Sequence, residues 1–172
     1  MAKSNTKGTN FLVQGSILAI ASIISRIIGL IYRIPMTAII GDVGNNYYAA
    51  AFDIYNVMLI ISSYSLPLAV SKLVSAKMAK GQFKTAYQVL KGALLFALVS
   101  GTIVAVIVFF GAGFFTKTLL STPNSIFALR VLAPALVIVA VLGVIRGFFQ
   151  GLGTMMPSAI SQILEQIVNA VV

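Results

Sequence analysis

Two arginines, Arg26 and Arg33, lie inside an otherwise apolar run, residues 11–40, that is long enough to span a bilayer. Placing a cation at membrane depth costs about 2.5–3.5 kcal/mol on insertion scales, so such residues usually face a bundle interior or a water-filled path. Their spacing of seven residues is almost two helical turns and puts both guanidinium groups on one side of the helix. Because guanidinium presents a planar fork that matches phosphate oxygens, the pair predicts binding of an anion such as a diphosphate.

The rest of this helix separates into a small, polar stripe and an apolar flank. The stripe shares the side of the arginines and contains Gly15, Ala19, Ser22 and Gly29. The flank consists of Ile17, Ile20, Ile24, Ile27 and Ile31. This separation predicts one face toward lipid and one toward polar surroundings, with a kink at Pro35 near the outer end.

Composition places the chain among integral membrane proteins. Hydrophobic residues make up 59% and charged residues 9%, whereas soluble proteins average about 25% charged residues. We therefore predict an all-α fold, a polytopic transmembrane helical bundle. Cysteine and histidine are absent, which removes thiol nucleophiles, the usual zinc ligands and imidazole catalysis, so neither a metal nor another cofactor is predicted. The net charge of +9 is interpreted as a topology signal and not as a nucleic-acid-binding surface.

Apolar segments of about 20 residues predict four complete transmembrane helices and part of a fifth. After a cytoplasmic tail of residues 1–10, the expected spans are 11–40, 47–70, 89–115, 126–145 and 157–172. The connection 71–91 carries five lysines, whereas 41–46 has no basic residue and 116–125 has one. Because positive charge in short loops marks the cytoplasmic side, we predict a cytoplasmic N-terminus.

Two segments leave alternatives open. The N-terminal apolar stretch also fits a cleaved signal peptide, although the apolar pattern continues well past Ala21, which favours an uncleaved span. The basic connection 71–91 alternates lysines with apolar residues. It is compatible both with an amphipathic segment on the anionic inner leaflet and with a solvated loop.

One-sided polarity recurs in two further helices. In the second span the stripe contains Asn46, Ala49, Asp53, Asn56, Ser63 and Pro67, and in the fifth it contains Ser158, Gln162, Glu165 and Asn169. Three such stripes imply either a shared polar space or a set of interhelical hydrogen bonds. Asp53 or Glu165 could simply neutralise an arginine of the first helix. The alternative is a substrate-binding surface, with candidate residues Arg26, Arg33, Asp53, Asn56 and Glu165.

Several segments carry a family resemblance. They are residues 25–29, 66–74 and 146–151, followed by Met156-Pro157 and the run from Glu165 to Val168. Together they resemble bacterial polysaccharide-biosynthesis membrane proteins of the multidrug/oligosaccharidyl-lipid/polysaccharide flippase superfamily, in the branch of stage V sporulation protein B and the Gram-positive lipid II flippases.

The resemblance implies two pseudo-equivalent lobes around a central cavity, which move an undecaprenyl-diphosphate-linked saccharide (lipid II or another polysaccharide precursor) by alternating access. In the lipid II flippases, arginines of the first helix are thought to meet the diphosphate; by position these look like Arg26 and Arg33. The implied partners are membrane lipids, the lipid-linked substrate, an optional coupling ion and the remaining helices of a longer protein. Since the proteins it resembles are several times longer, we expect the chain to be an N-terminal fragment of the first lobe.

Three other functions are alternatives to transport of a lipid-linked saccharide. A multidrug or cation antiporter of the same superfamily would use Asp53 or Glu165 to bind protons, sodium ions or cationic drugs, but the arginines would repel such a substrate. A small non-transporting membrane subunit would use the polar stripes to dock a partner. A membrane transferase is disfavoured because Asp42 and Asp53 have neither a paired-acid spacing nor a metal motif.

Overall fold

Helices account for nearly all of the chain that the structure describes. This computed structural model describes the backbone of residues 5–63, 65–119 and 123–171. The helices are α1 (Asn5–Ser63), α2 (Leu66–Ala79), α3 (Phe83–Phe114), α4 (Ile126–Gly151) and α5 (Met156–Val171). A π-helical turn, Phe115–Leu119, and a 3-10 turn, Pro123–Ser125, lie between α3 and α4. Within the described ranges there is no strand, and the predicted all-α fold class is confirmed.

A single glycine divides α1 into a first arm, residues 5–40, and a second arm, residues 42–63. Gly41 has φ 72° and ψ 174°, a backbone conformation that residues with a side chain rarely adopt. Tyr32 of the first arm and Tyr55 of the second arm line the same recess. A straight helix would hold these two residues roughly 35 Å apart. The arms therefore fold against each other at Gly41.

This break differs from the predicted connection between the first two spans. Residues 42–46, which were expected to form most of that connection, are helical, so one residue makes the turn. Pro35, at which the sequence predicts a kink, keeps helical backbone angles, and α1 reverses direction six residues later, at Gly41. The turn needs a positive φ, which glycine adopts without steric cost and proline does not.

The predicted second span, residues 47–70, is also divided, because α1 ends at Ser63 and α2 begins at Leu66. Pro67 lies in the first turn of α2, where its missing N–H has no intrahelical acceptor to lose. Part of the predicted basic connection is therefore helical and packs on α4. The turn from α2 to α3 then uses Gly81, at φ 69°.

Three glycines at four-residue spacing let α4 approach α2 very closely. They are Gly143, Gly147 and Gly151. A methyl group added at Gly147 would overlap the carbonyl oxygen of Pro67 and lie 2.8 Å from its Cα. One added at Gly151 would lie 2.7 Å from Cβ of Val74. In a bilayer, burial of apolar surface provides little driving force for helix association. Close backbone packing of this kind is therefore a main source of that association.

Small residues also dominate the core around α4. One buried cluster joins the second arm of α1 to α3 and α4: Ala51, Ile54, Tyr55, Ala105, Val108, Ala112, Leu129, Ala133 and Leu136. A second cluster joins α2, α3 and α4: Val70, Val74, Ala86, Ala97, Ala140 and Val144. Helix α4 contributes to both clusters and is the central element on which α1, α2 and α3 pack.

The outer surface is suited to lipid. Three segments of the described chain are long and apolar enough to cross a membrane: Val13–Ala79, which contains the break at Gly41, then Phe83–Thr118 and Ile126–Gly151. In the first arm, most of the predicted isoleucine flank is exposed: Ile20, Ile24, Ile27 and Ile31. Since the same arm carries both arginines on another side, its polar side is available to line a site.

Candidate functional site

Arg26 and Arg33 line one groove along the first arm of α1. This arginine groove has a volume of about 360 Å³, and its walls are Ser25, Arg26, Gly29, Leu30, Tyr32, Arg33 and Gln166. The seven-residue spacing places the two cations on one side of the helix, as the sequence predicts. Gly29, between them, faces the side chain of Gln166 from α5, since a methyl group there would lie in ordinary contact with Gln166 Oε1, at 3.4 Å.

Neither arginine has an ion-pair or hydrogen-bond partner in the part of the chain that the structure describes. The whole sequence contains three acidic residues, Asp42, Asp53 and Glu165. Among the described residues no carboxylate lies within ion-pairing distance of Arg26 or Arg33. The groove therefore carries two positive charges that the described residues do not compensate.

Helix α5 forms the opposite wall and is fixed to the first arm by polar contacts. Ser22 Oγ donates a hydrogen bond to Gln162 Oε1 at 3.3 Å. At the start of α5, Gln14 Oε1 accepts a hydrogen bond from the backbone N–H of Met155 at 2.9 Å. These contacts turn the polar side of α5 toward the arginines, which is why Gln166 enters the groove.

The single ion pair among the described residues joins α4 to α5. Arg146 Nη2 donates to Glu165 Oε2 at 2.7 Å, and Arg146 Nε donates to Ser161 Oγ at 2.9 Å. The side chains are 22% and 43% exposed, so the pair is partly solvated in the isolated chain. The structure thus pairs Glu165 with Arg146, and not with an arginine of the first arm. Its carboxylate is oriented by α4 and is already occupied.

A second recess adjoins the arginine groove on the side of Ser22. This serine recess, about 300 Å³, is lined by Ser22, Ser25, Arg26, Arg146, Gln162, Glu165 and Gln166. It contains two guanidinium groups and one carboxylate, so it also has an excess of positive charge. Since Arg146 is paired with Glu165, this excess is the charge of Arg26, which lines both spaces.

A third recess adjoins the groove on the side of Gly41. This aromatic recess, about 520 Å³, is lined by Tyr32, Met36, Tyr48, Phe52, Tyr55, Asn56, Leu59, Leu132, Ala135, Val139, Glu165 and Gln166. Tyr32 and Gln166 line both this recess and the arginine groove, so the two spaces adjoin each other. The three recesses follow one another along α1 from Ser22 to Met36, a rise of roughly 21 Å.

The structure brings four of the five predicted site residues to this surface. Arg26, Arg33, Asn56 and Glu165 line one or more of the three recesses. Asp53 is exposed and lines none of them. It precedes Tyr55 by two residues, which turns it roughly 200° away from that ring around the helix.

Three other residues of the predicted polar stripes do not line the recesses or cannot be placed. Pro67 does not continue the stripe of the second span, because it belongs to α2 and packs on the glycines of α4. The side chains of Ser63 and Asn169 lie outside what the structure describes.

Sequence reasoning missed Arg146, Gln166 and the tyrosines of the aromatic recess. Arg146 follows an apolar run and was noted as the first residue of the motif 146–151, not as a site residue. Its partner Glu165 lies on the same face of α5 as Ser158 and Ser161. Such a polar face predicts a basic residue on the helix that packs against it. The tyrosines could not be recognised, because their meeting depends on the fold at Gly41.

Comparison with known proteins gives consistent matches over most of the chain. A family described as polysaccharide biosynthesis protein matches residues 11–172. The chain is 32% identical, over 93% of its length, to the lipid II flippase MurJ of Bacillus subtilis (strain 168), and it covers 31% of that protein. It is 31% identical, over 92% of its length, to stage V sporulation protein B of the same organism, again covering 31%.

A third relative in that organism, the uncharacterized membrane protein YabM, is 29% identical over 95% of the chain. No solved structure matches the chain. Together, the apolar helices and these relatives identify a multi-pass membrane protein. The chain spans about a third of the length of the curated relatives it matches.

Proposed function

Because the chain belongs to the polysaccharide biosynthesis protein family, we propose that it forms the anion-binding wall of a flippase for an undecaprenyl-diphosphate-linked saccharide. One of its relatives is named a lipid II flippase, and lipid II is a lipid-linked saccharide of this kind. Helices beyond those of this chain complete the cavity in this proposal, and the two lobes alternate access to the two sides of the membrane.

The observation that carries the proposal is the pair of uncompensated arginines in one groove. A diphosphate offers several oxygens and at least two negative charges, which match two guanidinium forks. Each fork can donate two parallel hydrogen bonds. Such charge-assisted bonds are roughly twice as strong as hydrogen bonds between neutral groups. The substrate then supplies the negative charge that the described residues lack.

The ion pair of Arg146 with Glu165 supports the same role. It keeps the carboxylate of Glu165 away from Arg26, although both side chains line the serine recess. An unpaired glutamate there would attract Arg26 and repel a diphosphate. Arg146 therefore preserves the anion affinity of the groove by neutralising Glu165, the acid that lines the serine recess together with Arg26.

A cation antiporter fits this geometry less well. The two acids that would bind a cation are Asp53, which faces away from the recesses, and Glu165, which is occupied by Arg146. A cationic substrate entering the arginine groove would meet like charges instead of a partner.

The proposal is tested by expressing the full-length gene product in a bacterial strain depleted of its own lipid II flippase. We expect growth to be restored. Protein carrying Arg26→Lys should restore growth only in part, because a point charge lacks the bidentate fork. Failure of the wild-type protein to restore growth, at normal abundance in the membrane, would contradict lipid II as its substrate.

We also propose that the N-terminus faces the cytoplasm, since five lysines lie between residues 71 and 91. The chain has no cysteine, so single cysteines can be labelled against its silent background. Lys80→Cys, in the turn after α2, should react with a membrane-impermeant maleimide only after cells are permeabilised. Asp42→Cys, next to the break in α1, should react in intact cells. The reverse pattern would contradict this topology.

A further inference from the structure

Three aromatic rings follow one another along the second arm of α1 and line the aromatic recess. The ring centroids of Tyr48 and Phe52 are 5.8 Å apart with planes inclined by 17°, and those of Phe52 and Tyr55 are 5.8 Å apart with planes inclined by 26°. Tyr55 is buried in the core, which anchors this series of rings, whereas Phe52 is 36% exposed. The recess therefore has an aromatic wall held by a rigid helix.

Polar groups face the same space. Asn56 and Gln166 each carry an amide that both donates and accepts, and Tyr32 and Tyr48 each add a hydroxyl. Among the hydrogen bonds found between described residues, none uses the side chain of Asn56, Gln166 or Tyr48. Their hydrogen-bonding capacity is therefore available to a ligand or to water.

We propose that the aromatic recess binds the saccharide of the lipid-linked substrate. A pyranose has apolar C–H faces that pack on an aromatic ring, whose face carries partial negative charge, and it has hydroxyls around its edge that pair with amides. The volume of about 520 Å³ lies within the range of small-molecule sites. This inference rests on the flippase function proposed above.

The position of the recess fits the covalent structure of such a substrate. The sugar is bonded directly to the diphosphate, so its site must adjoin the diphosphate site. Tyr32 and Gln166 line both the arginine groove and the aromatic recess, and Arg33 directly follows Tyr32 in the chain. A diphosphate held by the arginines therefore places its first sugar at the aromatic wall.

The lipid chain is a poorer occupant of this recess than the saccharide. A polyprenyl chain would cover Asn56, Gln166 and Glu165 without offering them hydrogen bonds, and burying such groups unpaired is costly. The exposed isoleucine flank of the first arm lies on another side and has no such groups. The lipid chain therefore remains outside the recess.

The test compares two ligands on the purified full-length gene product in lipid nanodiscs: lipid II, and undecaprenyl diphosphate, which lacks the saccharide. Tyr48→Leu keeps the apolar bulk but removes the ring, and it is expected to weaken lipid II binding by about tenfold. Its affinity for undecaprenyl diphosphate should be unchanged. Tyr48→Phe, which keeps the ring and loses only the hydroxyl, should lose less lipid II affinity than Tyr48→Leu.

Two further variants keep the result interpretable. Asn56→Ala removes an amide without a ring and should also weaken only lipid II binding. Tyr87→Leu is the matched control, because this exposed α3 tyrosine lies under Lys91 and outside the recess, so both affinities should stay at wild-type values.

Equal losses for both ligands in Tyr48→Leu and Asn56→Ala would overturn the saccharide site, and so would no loss for either ligand. A Tyr48→Phe variant as weak as Tyr48→Leu would overturn ring stacking. If the wild-type protein binds neither ligand above a phosphatidylglycerol control, the flippase function fails and the saccharide site falls with it. Normal binding of undecaprenyl diphosphate with no preference for lipid II would overturn the saccharide site alone.

Discussion

Replacing both Arg26 and Arg33 with alanine in the full-length gene product is expected to abolish transport while leaving membrane insertion intact. Neither side chain has a hydrogen-bond or ion-pair partner among the described residues, so their removal breaks no such contact between helices. The substitutions therefore weaken binding of the anionic ligand and not the packing of the helices. Each charge-assisted contact is worth about 1.5–3 kcal/mol, or roughly ten- to a hundredfold in affinity per arginine. Growth of a flippase-depleted strain, together with the amount of protein in the membrane, checks the prediction.

The chain offers a matched control for these variants. Arg130 of α4 lies over the ring of Phe109, at 5.7 Å from its centroid, and lines none of the three recesses. Arg130→Ala removes one arginine charge outside the recesses and should leave growth at the wild-type level. Normal growth with the double alanine variant would remove both arginines from the mechanism.

Replacing Gly147 with alanine is expected to destabilise the protein, although alanine is normally the better helix former. A methyl group at this position overlaps the carbonyl oxygen of Pro67, so α2 and α4 must move apart. Overpacking of a close contact lowers the free energy of unfolding by about 1–3 kcal/mol. Here the atoms that must move belong to the backbone, which adjusts less easily than a side chain. We expect a lower unfolding temperature of the purified full-length gene product and less of it in the membrane.

Gly92 of α3 is the matched control for this packing prediction. A methyl group there meets nothing within 4 Å, and the backbone is helical. Gly92→Ala should raise stability slightly, by about 0.5–1 kcal/mol, because glycine loses more conformational freedom on folding. The two substitutions are thus expected to have opposite signs. Equal effects would show that the α2–α4 contact is not close.

The fold class, the membrane character and the family could all be predicted from the sequence, and these predictions are confirmed. Apolar segment lengths and composition carry that information. The shared groove of Arg26 and Arg33 also follows from spacing alone, because residues seven apart lie on one side of a helix. Their role in binding substrate stays a prediction.

Other features depend on which helices meet, and periodicity does not determine that. Asp53 shares a predicted polar stripe with Asn56, yet only Asn56 lines the aromatic recess, since the core contact of Tyr55 fixes how the second arm is turned. Arg146 was not predicted as a site residue because its partner Glu165 is nineteen residues further along, on another helix. Helix orientation decides both cases.

The helix ends show a different limit. The polar segment 41–46 marked the end of the first span, whereas the start of α2 at Leu66 lies inside an apolar stretch, where hydropathy gives no boundary. The local signal was present, as a proline suited to a first helical turn. Hydropathy outweighed it and merged the start of α2 into the second span.

Transport by the purified full-length gene product in lipid vesicles tests the anion-binding role of the two arginines most directly. Lipid II is placed in one leaflet, and its arrival in the other leaflet is measured over time. We predict that the wild type and Arg130→Ala move lipid II faster than protein-free vesicles, and that the double variant of Arg26 and Arg33 does not. Transport by that double variant at the wild-type rate would contradict the proposed role.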